Sequence, residues 1–267
     1  MRYYLHLGWV YWKMHLKKTW MFKSSFIINR VVQILNYFVD FALIWIMVNA
    51  FQALNGWNTY EVMLLYAMNV MGYAIGGFFL DRTILTVRTD VQSGAFDDVL
   101  TKPVSPLPYL CFQNLNPNFI AHVTLSIALL CIGFGSLGTY IGIVEILKLL
   151  LGFVCGGLVY VGLFLFAIGP IFVFRKADSM RRVLFFLREQ SMYPLSVFPL
   201  FIQILMTVIL PYAMIGYFPV QSILGKQDYL FFGRAVLYLA PVISLAFCAI
   251  AVWFFHFCLR RYKSTGS

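Results

Sequence analysis

Six separate blocks of mostly apolar residues, at 31–51, 62–80, 119–137, 146–174, 197–217 and 235–259, constrain this chain more than any other feature. A hydrocarbon core about 30 Å thick is crossed by roughly 20 apolar residues in a helix, and each block is of that size. One such block can be a buried core helix of a water-soluble domain; six in one chain have no interior large enough to hide in. With 61% hydrophobic and 11% charged residues over 267 positions, the chain carries less than half the charge of an ordinary soluble domain, which is about a quarter of its residues. The short alternating segments of a membrane β-barrel do not appear. The sequence therefore predicts an all-α integral membrane protein. Its six transmembrane helices form one domain over 25–267, preceded by an N-terminal interfacial amphipathic helix over 1–24.

The net charge of +10 invites a nucleic-acid reading that its distribution rejects. With a cytoplasmic N-terminus, alternation across six spans puts seventeen lysines and arginines inside and only Lys148, Lys226 and Arg234 outside. A bias of that sign predicts both termini in the cytoplasm of a bacterial cell, with the chain in its plasma membrane. The basic excess then faces anionic lipid headgroups, so membrane lipid is an expected partner and nucleic acid is not. In the leader, Arg2, His6, Lys13 and Lys17 form a narrow polar stripe flanked by Leu5, Trp9, Trp12, Leu16 and Trp20. That is the pattern of a helix lying in the membrane interface; Lys18 falls off the stripe. No short apolar core ending in small residues marks a cleavable signal peptide.

Catalytic chemistry is missing from the inventory. There is no phosphate-cradling G-x-x-x-x-G-K-[ST] loop and no HExxH, nor a GxSxG elbow. His6, His15, His122 and His256 are far apart and read as interfacial or packing residues. Cys111, Cys131, Cys155, Cys248 and Cys258 lack ligand spacing and read as free packing thiols, so no metal site is expected. Polar residues within the apolar blocks are more informative. Arg30, Gln33, Asn36, Tyr37 and Asp40 share one stripe of the first span, with Asp40 near the midplane. Such a stripe is costly against acyl chains and must face protein or water. It is either a pathway or subunit interface, or an internal hydrogen-bond clamp. Gly72 with Gly76, and Gly152 with Gly156, have the GxxxG spacing that lets helices approach closely.

One cytoplasmic segment, within a long polar stretch at 81–118, has the pattern of a docking element. Gly94 begins a turn, Phe96, Val99 and Leu100 share a helical face, and Pro103 ends the helix. In the series Gly94, Asp97, Leu100, Pro103, Pro106 and Leu107 the chain resembles the permease subunits of type-2 ABC exporters. A second likeness runs through Tyr193-Pro194-Leu195, Phe198-Pro199, Pro211-Tyr212-Ala213 and Tyr217-Phe218-Pro219-Val220 to Leu224-Gly225. Val220 stands where that family more often has alanine.

The resemblance implies a half-transporter. Two permeases, identical or similar, would pair, and each would dock on a separate ABC ATPase subunit that carries ATP and Mg. This chain would bind no cofactor itself. Gly94, Phe96, Asp97, Leu100, Pro103 and Pro106 would form the ATPase-coupling segment. Exported substrates would be drugs, peptides, lipids or other amphiphiles. The rival readings are a secondary transporter driven by an ion gradient, which usually shows inverted repeats, and a lipid-headgroup enzyme, for which clustered histidines are lacking.

Overall fold

The computed structural model describes residues 8–14, 17, 21, 23–50, 55–174, 178–226, 230, 233 and 235–264. Two long helices come first, α1 (Lys23–Ala50) and α2 (Thr59–Ser93). Three short pieces follow: α3 (Asp97–Leu100), α4 (Pro106–Gln113) and a 3-10 turn at Pro117–Phe119. Next come α5 (Ile120–Leu137), α6 (Ile143–Phe174) and α7 (Asp178–Gln190). A broken stretch contains α8 (Leu200–Ile204), a π-turn at Leu205–Ile209 and α9 (Tyr217–Leu224), and α10 (Ala235–Leu259) closes the chain.

Local chemistry sets the helix ends. Asn58 and Glu61 form a reciprocal capping box at the start of α2: the Glu61 amide donates to Asn58 Oδ1 at 2.9 Å, and the Asn58 amide donates to Glu61 Oε2 at 2.8 Å. At its other end Gly94, with φ +80°, takes the left-handed conformation that stops the helix. Thirty-five residues at 1.5 Å each make α2 about 50 Å long, so it exceeds a bilayer core by roughly 20 Å. The polar stretch 81–118, expected as a loop, is thus largely helical, its first part being the continuation of α2.

Helix α6 sits at the centre, packed on α2, α10 and α9. Glycine makes this possible. A Cβ on Gly76 would lie 2.5 Å from Tyr160 Cβ, and the α-carbon of Gly72 lies 3.3 Å from the Cβ position of Gly156. The two GxxxG pairs therefore mark one intrachain contact between α2 and α6.

Among the described residues four helices are long and apolar enough to cross a membrane: Thr59–Ser93, Pro117–Leu137, Ile143–Phe174 and Tyr238–Leu259. A fifth candidate, Leu200–Ile209 with Tyr212–Leu224, is bent by 74°. Its two ends return to the same place. Before it, Ser196 O accepts from Asn55 Nδ2 at 3.0 Å; after it, Lys226 Nζ donates to Gly56 O at 2.7 Å. Both partners precede the N-terminus of α2, so the bent pair is a re-entrant hairpin. The expected span at 197–217 is corrected accordingly.

Alongside α2, between the levels of Asp81 and Asn55, the chain runs through α7 and residues 191–197. It runs antiparallel to α2: Arg181 lies within electrostatic reach of Asp81, Arg188 over the Tyr73 ring at 3.8 Å, Ser191 beside Asn69, and Ser196 beside Asn55. Of the leader, residues 8–14 are helical and rest on α2 and α4 through Trp12–Phe78 and Tyr11–Tyr109 ring contacts at 5.6 and 6.3 Å. His6, His15 and most of the remaining leader lie outside the described residues.

Candidate functional site

The segment after α2 is a shoulder bolted to three helices. Phe96 is fully buried, its ring 4.9 Å from Phe172 at the end of α6 and 5.3 Å from Tyr262 just past α10. Its amide donates to Asp90 O at 3.1 Å, folding the chain back on α2. Val99 is also buried, whereas Asp98 and Leu100 are exposed and Asp97 is half-buried. Ser264 donates to the Asp97 carboxylate. The apolar face expected outward is therefore divided: Phe96 and Val99 face the chain's own core, and Leu100 with the two aspartates faces away. Behind them Pro103 lies in the turn, and Pro106 starts α4 with a residue that needs no amide partner. Lys102 caps this unit, its ammonium 4.2 Å from the Tyr109 ring and bonded to the Tyr109 hydroxyl. Burial in α4 pushes the Cys111 thiol up to about 12, so it is an unreactive packing group.

The first-span stripe is partly visible. Gln33 Nε2 lies 3.0 Å from Nε2 of His122 on α5, and His122 is buried, stacked on Phe119 at 4.6 Å. Asn36 is exposed. The side chains of Arg30, Tyr37 and Asp40 lie outside the described residues.

Sequence reasoning missed a polar seam between α2, α6 and α7. Tyr160 OH donates to Asn69 Oδ1 at 2.6 Å, Asn69 Nδ2 donates to Ser191 Oγ, and Ser191 Oγ donates to Arg188 O at 2.7 Å. Asn69, Tyr160 and Ser191 are all buried. Arg188 caps the seam over Tyr73 and borders a small, half-open pocket shared with Tyr160, Phe164, Phe185 and Tyr212. The opposite face of α7 carries Arg182, Phe186 and Glu189, spaced four and three apart and all exposed. The five cysteines are free, and among the described residues no group of three or more His, Cys, Asp or Glu side chains could hold a metal ion.

The sequence pattern of the ABC-2 family transporter proteins matches residues 34–266. The chain belongs to the ABC-2 family. No curated protein and no solved structure matches it. Membership makes it a permease, a transport subunit rather than an enzyme. As an ABC-2 permease the chain does have internal polar residues that a hydropathy profile overlooks. Asn69 is one polar residue in an apolar block, and Arg188 sits in a segment whose arginines make it look extramembranous. The signal available for Arg188 was the apolar triplet Leu184-Phe185-Phe186 on the same helix.

Proposed function

We propose that this permease is the membrane-spanning half of an ATP-driven exporter, coupled to separate ATPase subunits that hold ATP and Mg. Six crossings (α1, α2, α5, α6, α7 with residues 191–197, and α10) would put both termini and the shoulder on the cytoplasmic side, with the leader helix in that interface. A second permease, identical or similar, would complete the pathway for a drug, peptide, lipid or other amphiphile. The observation that carries the coupling role is the burial of Phe96 between α6 and the chain after α10. A force applied at the exposed Leu100 and Asp98 would pass directly into α2, α6 and α10, because packed cores move as units and do not deform continuously. An ATPase would bury Leu100 and pair with the aspartates. ABC-2 membership favours this reading over an ion-gradient transporter.

Co-purification tests it. The unmodified chain should retain an ATPase subunit, and Leu100→Asp with Asp98→Arg should lose it by at least tenfold while keeping a normal elution volume, as truncation of an interface anchor costs roughly 2 kcal/mol or more. Transport into proteoliposomes should require ATP and survive a protonophore. An ATP-independent transport abolished by the protonophore would instead support the ion-gradient reading.

A further inference from the structure

The position of Glu189 in α7 is physically demanding. Its neighbours in the register are Arg188 at the level of Tyr73 and Ser191 at the level of Asn69. Those α2 residues lie ten to fourteen places after Thr59, so Glu189 stands about 15–20 Å from the α2 N-terminus at 1.5 Å per residue, near the middle of a 30 Å core. It is exposed there, on a stripe with Phe186, 60% exposed, and Arg182 towards the α7 N-terminus. Arg188 does not neutralise it from the next position, because its guanidinium turns inward over Tyr73. Among the described residues no cation is paired with Glu189. A carboxylate at that depth is tolerated against water or protein and is strongly disfavoured against acyl chains.

We infer that the Arg182–Phe186–Glu189 stripe lines a water-filled pathway and that Glu189 selects cargo bearing a positive charge. The inference rests on the permease reading above, since it assigns the cargo of that pathway. Phe186 and Val183, both more than half exposed, supply the apolar contact for the body of an amphiphile. Glu189, one turn from Phe186, supplies the charge that orients it. At the level of Glu189, two helical turns from Arg182, low-dielectric walls around the carboxylate concentrate cations and exclude anions of the same size.

The experiment uses the full chain in phosphatidylcholine liposomes, with its five cysteines replaced and single cysteines introduced. Phe186→Cys should react with a water-soluble cationic thiosulfonate, whereas Ile250→Cys, on the exposed face of α10, should not. Adding Glu189→Gln should lower the ratio of cationic to anionic reagent rates at position 186 by about tenfold, and Glu189→Asp should keep it. Tetraphenylphosphonium should protect the thiol of the Phe186→Cys variant, and its anionic isostere tetraphenylborate should not. If that thiol is as inert as the one introduced by Ile250→Cys, the pathway assignment is overturned. If it reacts but the ratio and the protection ignore Glu189, charge selection is overturned. Neither failure touches the ATPase coupling, which co-purification reads separately.

Discussion

Helices α6 and α7 run antiparallel between the same two ends of the molecule, yet α6 has thirty-two residues, almost all apolar, and α7 has thirteen, including three arginines and a glutamate. Each solves the solvation problem differently. In α6, Gly152 and Gly156 let the neighbouring elements come into direct contact, so that packing replaces lipid along one side. In α7 the inward-facing groups are handled one by one: Arg181 by the carboxylate of Asp81, Arg188 by the face of Tyr73, the helix end by Ser191 and Asn69. The remaining distance is covered by residues 191–197 in a less regular conformation. A helix thus needs its groups to be solvated, and neighbouring protein can do that.

The contrast predicts opposite sensitivities. The largest effect belongs to the glycine seam. Gly76→Leu would push a side chain into Tyr160, whose backbone carbon is 3.0 Å from the Cβ position; separating α2 from α6 costs about 3 kcal/mol. Little monodisperse protein should be recovered on size exclusion, and a normal Tm would refute the close contact. Phe96→Ala should behave like the glycine seam and not like an interface mutant, losing folded protein by about 3 kcal/mol, since the ring is fully buried. Asn69→Leu comes next: it removes the acceptor of the buried Tyr160 hydroxyl, costs about 2 kcal/mol, and should lower Tm without changing the elution volume.

Arg188→Met sharpens the comparison by its sign. It loses a ring contact of up to about 2 kcal/mol but relieves a cation held at membrane depth, which costs about as much. Stability should change by no more than about 1 kcal/mol while transport falls, whereas a large loss of Tm would make Arg188 a structural group. The smallest effect is at the hairpin. Lys226→Met breaks a pair with Glu61 whose side chains are 23% and 12% exposed. Less than about 1 kcal/mol is expected after solvent screening, read as faster hydrogen exchange over 217–226.

Much of this architecture is legible from residue types. Blocks 62–80, 119–137, 146–174 and 235–259 fall on helices α2, α5, α6 and α10, because each contains its own apolar length. The turn at Gly94 is visible for the same local reason. Block 197–217 was misread because hydropathy counts residues and is blind to direction: Pro199 and Pro211 break the helix, and the two arms fold back to the Asn55 end. Phe96 was placed on the wrong side of α3 because an apolar face beside a turn does not say whether its cover is another chain or the ends of α6 and α10.

By itself the sequence determined the membrane class and the all-helical fold. Those follow from transfer free energies and backbone preferences that each residue carries with it. Only the tertiary structure decided which segment runs antiparallel beside α2, which ring locks the shoulder and where Glu189 stands. These depend on neighbours distant in the chain: Tyr73 takes in Arg188, Asn69 meets Ser191, and Asn55 holds Ser196. A charged helix can pack among apolar ones once such partners satisfy its polar groups.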